Sequence, residues 1–179
     1  PVHDEIRQKQ GAFENAVATF KALRSRTLKE PRLAVQTCTV LMRLNQDHIV
    51  PLYCFLRDEL SPDRIAISLI RQDPLDPEAK GVDPRIYLGL IRTIQEDTHS
   101  GRLRNRLGFD RFCLATAADL HTMGLLYKTI VSLRPTLRCY GGISSGVLLP
   151  DGSLYPCEFR ESLGNLRNYD YNLGRLWYP

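Results

Sequence analysis

The order of segments along this 179-residue sequence predicts an α/β fold, and three observations carry that reading. Segments of helical and of strand-like texture alternate with short connections, the mark of a parallel α/β arrangement. The texture changes after Arg134-Pro135, where short apolar runs and turn signals replace long helices. Beyond that point an Asp-Gly turn separates two apolar stretches, which predicts a hairpin.

Each element follows from local chemistry. Ala12 to Arg24 sets Phe13, Ala16, Val17, Phe20 and Leu23 at helical spacing between Gly11 and Ser25, and predicts an amphipathic helix. Leu33 to Met42, with Val35, Thr37, Thr39 and Val40, predicts a buried strand. Asn45 and Asp47 are N-cap residue types and Pro51 is tolerated only in a first turn. A second helix is therefore expected to reach Leu60, burying Leu52, Phe55, Leu56 and Leu60. Arg64 to Ile70 predicts a second strand. A parallel pair needs both faces covered and both edges paired, so partner strands are expected upstream of Pro1.

The stretch Gln72-Asp73-Pro74-Leu75-Asp76-Pro77 breaks regular structure. Asp83-Pro84 then supplies an N-cap and a first-turn proline for a helix carrying Ile86, Leu90 and Ile94. A longer helix is expected from Phe112 to Leu133, burying Ala115, Leu120, Met123, Tyr127 and Ile130. Ile143 to Leu149, the turn Pro150-Asp151-Gly152 and Ser153 to Tyr155 form the expected hairpin. The expected domains are 1–134 and 135–179.

Composition excludes several classes. With 43% hydrophobic and 25% charged residues, the chain reads as globular. No apolar run approaches the roughly 20 residues that span a bilayer, and no signal-peptide pattern opens the chain, so a cytoplasmic location and no membrane partner are expected. A net charge of +4 argues against a nucleic-acid partner, and the densest basic group, Arg102, Arg104 and Arg106 between Gly101 and Gly108, reads as a solvated turn. The five cysteines, Cys38, Cys54, Cys113, Cys139 and Cys157, are odd in number and widely spaced, which argues against a disulfide framework. Buried thiols, a metal site or both remain. Pro1 opens the chain without a methionine and Pro179 follows an apolar aromatic stretch, so the sequence reads as a fragment.

The constellation richest in chemistry is Cys139, twelve residues, Gly152, four residues and Cys157. A hairpin folds back on itself, so cysteines before its first strand and after its second converge, and Gly152 supplies the permissive turn. Thiolates are natural ligands of iron–sulfur clusters and of zinc. Two thiolates close neither kind of site, and two unrelated core cysteines remain an equal reading of the spacing alone.

Three segments add to the spacing: Cys139-Tyr140-Gly141-Gly142, the run from Val147 through Pro150-Asp151-Gly152 to Tyr155-Pro156-Cys157-Glu158, and Leu163-Gly164-Asn165-Leu166. Together they resemble the auxiliary-cluster domain, called SPASM or twitch, of radical S-adenosylmethionine (SAM) enzymes. In that family a cysteine, a variable gap, a glycine, four residues and a cysteine are followed by a Gly-Asn-Leu strand start. Val2 to Arg7 with Gly11-Ala12-Phe13 resembles the stretch after the fourth strand of a radical SAM barrel. Leu33 to Asn45 resembles its fifth strand, and Ile65 to Arg71 with Asp73-Pro74 its sixth. The resemblance covers most of the chain and implies the late strands and helices of a partial (β/α)6 barrel over 1–134, followed by a small β-hairpin auxiliary-cluster domain over 135–179.

It further implies Cys139 and Cys157 as ligands of an auxiliary 4Fe-4S cluster, and SAM as a cofactor. In the intact enzyme a 5′-deoxyadenosyl radical would abstract hydrogen from a peptide, protein or small-molecule substrate, and an external donor such as flavodoxin or ferredoxin would supply the electron. The family's CxxxCxxC motif, which binds the SAM-cleaving cluster, is absent from the five cysteines and expected upstream of Pro1. The remaining auxiliary ligands are expected beyond Pro179, so this chain is not expected to act alone.

Asn45 and Arg71 fall just after strands, at the carboxyl end where barrel sites assemble, and are candidates to touch SAM or substrate. Their plain roles would be a helix cap and a partner of Asp73. No catalytic residue is assigned. Cys54 reads as a small buried hydrophobe, and Cys38, within its strand, as either a small buried hydrophobe or a residue pointing into the barrel. Cys113 is a lesser candidate ligand, His3 and Arg7 read as fixing their loop, and His48, His99 and His121 lack partners at metal-ligand spacing. The rival functions are a zinc-stabilised binding module and a catalytically empty remnant that presents a surface to a partner.

Overall fold

Asp4 organises the start of the chain. Helix α1 (Val2–Arg7) ends at Gln8 in left-handed backbone, φ 49°, and the chain turns back through Gly11. The Asp4 carboxylate accepts hydrogen bonds from the N–H groups of Phe13 (2.8 Å) and Gly11 (2.9 Å), capping helix α2 (Ala12–Thr27) from outside its own sequence. The Phe13 N–H above all holds the Asp4 carboxyl below its ordinary pKa. The structure, a computed structural model, describes residues 1–27, 30, 33–71, 74–103, 114–136, 138–157 and 159–178.

Strand β1 (Gln36–Leu41) pairs in parallel with β2 (Arg64–Leu69), Gln36 opposite Arg64 and Leu41 opposite Leu69. Parallel strands need a crossover, and here it consists of a 3-10 segment (Arg43–His48), helix α3 (Ile49–Phe55) and one π-helical turn (Leu56–Leu60). The sequence predicts one helix capped by Asn45 or Asp47 over this stretch. Instead the Asn45 side chain points back: Oδ1 accepts from Met42 N–H and Nδ2 donates to the Val40 carbonyl, both at 2.9 Å. It thereby closes the end of β1, and the α-helix begins only after His48.

Asp83 caps helix α4 (Pro84–His99) as its sequence predicts, accepting from Arg85 N–H at 2.7 Å with Pro84 in the first turn. Helix α5 (Leu114–Ser132) packs against α4. Leu41, Ile49, Tyr53, Tyr87 and Leu90 are the largest fully buried side chains, and each contributes about 2 kcal/mol by leaving water. Ile65, Ile67 and Leu69 add one face of β2 to this core, along with Leu120, Tyr127 and Ile130 of α5, while Met123 is fully within it. On the other face Gln36, Cys38 and Val40 of β1 are exposed, while their β2 partners Arg64, Ala66 and Ser68 are half-buried. Of the residues expected in α5, Phe112 and the Ala115 side chain lie outside what is described.

Two ion-pair groups tie the crossover down. Asp63, just before β2, accepts from Arg24 of α2 (2.8 Å) and from Val35 N–H (2.7 Å). Asp97, whose side chain is 4% exposed, bonds Arg57 and lies 3.5 Å from Arg102. Arg57 also reaches Asp58, and its guanidinium stands over the Tyr53 ring at 5.6 Å.

The chain divides into two compact units, Pro1–Thr136 and Leu137–Pro179. The second is a three-stranded antiparallel sheet in the order β3 (Val147–Leu148), β4 (Ser153–Tyr155), β5 (Gly164–Asn165), followed by a 3-10 turn (Leu166–Tyr169) and helix α6 (Leu173–Trp177). Among its described residues, Leu154 and Leu176 are the buried hydrophobic ones. The strand expected from Ile143 is shorter, because Ile143 and Ser144 N–H both turn back to the Tyr140 carbonyl. The fold is mixed α/β; among the described residues the strands form these two small sheets and no closed barrel. No described helix is long and apolar enough to cross a membrane.

Candidate metal centre

The turn between β3 and β4 fixes where Cys157 emerges. Gly152 has φ +90°, and its N–H donates to the Leu149 carbonyl at 2.9 Å. The Asp151 carboxylate accepts from both the N–H and the hydroxyl of Ser153, each at 2.9 Å, and these donors, the N–H first, lower its pKa. Asn165, the middle residue of the Gly-Asn-Leu element, donates to the Asp151 carbonyl (3.0 Å) and caps the following turn by accepting from Arg167 N–H (3.0 Å). Val147 faces Tyr155 and Leu148 faces Leu154, so β4 delivers Pro156 and Cys157 to the same end from which β3 departs.

Cys139 reaches that end through a second turn. Gly141 and Ser145 form an isolated bridge, and the Gly142 N–H donates to both the Ser145 carbonyl (2.9 Å) and the Pro156 carbonyl (3.1 Å). The Cys139 and Cys157 segments are thus joined directly. A β-carbon built on Gly141 would lie 3.5 Å from Cys139 Sγ and 3.4 Å from Cys157 Cβ, so both cysteine side chains lie close to that one glycine. Gly141 N–H donates to Cys139 Sγ at 3.4 Å. Both cysteines are free; Cys139 is exposed and Cys157 half-buried, which leaves the sulfurs reachable and sets Cys139 apart from a core thiol.

This donor pair matches the chemistry of iron–sulfur and zinc sites and supplies half of a four-thiolate set. Among the described residues no three His, Cys, Asp or Glu side chains gather around a common point.

The other candidates lie in the first unit. Both polar groups of the Asn45 amide are engaged with backbone at the end of β1. Arg71 is exposed and lines a groove of about 240 Å³ between β2 and α5, whose wall includes Ala66, Ser68 and Met123. At that groove Arg64 makes a two-pronged bond to Asp119, 2.6 and 3.1 Å. Cys38 is exposed on β1, and Cys54 is half-buried against the core. Cys113 and Asp73 lie outside the described residues. His3 Nδ1 stands 3.6 Å from the Asp4 carboxylate with its ring edge-on to Phe13, a contact that fixes the α1–α2 corner. His48, His99 and His121 are exposed.

Sequence reasoning used Gly152 but assigned nothing to Gly141 and Gly142. The doubled glycine two residues after a cysteine was the available signal, since two flexible residues there let backbone amides approach a sulfur. Comparison with known proteins finds no matching family model, no matching curated protein and no matching solved structure.

Proposed function

We propose that this chain is part of a cytoplasmic radical SAM enzyme, with Cys139 and Cys157 as two ligands of an auxiliary 4Fe-4S cluster. The observation that supports it most is the meeting of the two cysteine segments over Gly141, on a hairpin whose residues resemble the auxiliary-cluster domain. When bound, SAM and a reduced cluster held elsewhere in the enzyme supply a radical that removes hydrogen from a peptide, protein or small-molecule substrate, with flavodoxin or ferredoxin as electron donor.

The chain's own contribution is positional. The Gly152 turn, Asn165 and the Gly142 N–H hold the two thiols, and exposure of Cys139 leaves room for ligands from outside the described residues. Arg71 beside the β2 groove offers a fixed positive charge to a carboxylate of SAM or substrate, and Asn45, at the end of β1, shapes the neighbouring turn. The small core of the second unit favours a second reading, in which the metal is structural zinc, because a unit with so little buried apolar surface gains from a metal staple.

Iron, sulfide and zinc analysis of the anaerobically purified full-length protein separates the two. The cluster reading expects Cys157→Ala to lose about one cluster's iron while SAM binding is retained. Zinc without sulfide selects the structural reading, and unchanged iron in Cys157→Ala removes the auxiliary site.

A further inference from the structure

We propose that Gly141 is a positioning residue for the thiolate pair: its amide holds the Cys139 sulfur, and its missing side chain lets the Cys139 and Cys157 segments approach each other closely. The inference rests on reading Cys139 and Cys157 as ligands, and adds how this chain sets their spacing.

The Gly141 N–H aims at Cys139 Sγ across 3.4 Å and so fixes where that sulfur lies relative to the turn. Hydrogen bonds to ligand sulfurs also set reduction potentials in iron–sulfur proteins. The adjacent amide, of Gly142, donates to the carbonyl of Pro156, the residue before Cys157. Two consecutive amides therefore grip the two ligand segments, one by its sulfur and the other by its backbone.

Space points the same way. A methyl at Gly141 would meet the Pro156 carbonyl at 3.2 Å as well as Cys157 Cβ and Cys139 Sγ, close on three sides and between the two cysteines. Gly142, at φ +78°, would place a β-carbon 3.1 Å from that of Pro156. A plain hairpin turn would need the Gly142 conformation, but it would need neither a donor on the Cys139 sulfur nor a residue without a side chain where the two cysteine segments meet.

The test uses the reduced, metal-free full-length protein, which would carry the ligands expected beyond Pro179, with cadmium as the probe. Wild type is expected to show thiolate-to-cadmium charge-transfer absorption that is reduced in Cys157→Ala; absorption unchanged in Cys157→Ala would overturn the ligand reading and this inference together. With the NMR-active cadmium isotope bound, the Gly141 amide proton is expected to couple to the metal through the N–H···S bond. Cadmium binding without that coupling would overturn the inference and leave the ligand reading standing. Gly141→Ala is expected to weaken cadmium binding about 10-fold or more, the usual cost of disturbing groups that orient metal ligands. Wild-type affinity in that variant would also overturn the inference, and the coupling, measured on the unaltered chain, decides even where the variant fails to fold.

Discussion

Asp97 carries its charge inside the first unit, and Arg57, forty positions away in sequence, answers it. Truncating Arg57 would leave a buried carboxylate whose remaining ion-pair partner among the described residues is the more distant and more exposed Arg102. Arg57→Met is expected to cost about 3 kcal/mol in urea unfolding, and the double variant Arg57→Met/Asp97→Leu to recover most of that loss, because a buried pair removed whole leaves no charge stranded. Nothing in the sequence pairs these residues: Arg57 reads as one more polar position on a helix and Asp97 as another. Asn45 caps at a place other than the expected one for a related reason. Its type announces a cap, and it does cap, but for the N–H of Met42 behind it rather than for the helix ahead.

Elements defined by local chemistry were the legible ones. Asp83-Pro84 opens α4 and the Asp-Gly pair turns the hairpin, since in each case a side chain or a backbone preference acts within two or three residues. The crossover between β1 and β2 was legible only as helical, because its division into 3-10, α and π segments depends on where Asn45 and Arg57 find partners. For the candidate centre, spacing brought Cys139 and Cys157 together, whereas the amide on the Cys139 sulfur is visible only in three dimensions. The hairpin's own stability rests on Leu154, which is 3% exposed. Leu154→Ala is expected to destabilise the second unit by about 2–5 kcal/mol, enough to unfold it at ambient temperature, and loss of amide-exchange protection across β3–β5 with α4 still protected would register this.

At the scale of the molecule, the two units have separate cores, one assembled from β1, β2 and three helices, the other centred on Leu154 and Leu176. Calorimetry is expected to show separate transitions for them. Cadmium at about 100 times its dissociation constant should stabilise the second unit by about 2.7 kcal/mol and leave the first unmoved, because binding to the native state alone shifts only the equilibrium it belongs to. A shift in both transitions would place metal binding elsewhere. The chain also carries its own means of telling the two events apart. Its single tryptophan, Trp177, lies with its ring against the Gly146 backbone inside the second unit. Indole emission therefore reports that unit alone, while far-ultraviolet ellipticity comes chiefly from α2, α4 and α5 of the first. Recorded together on one unlabelled sample, the two optical signals follow two separate melting events.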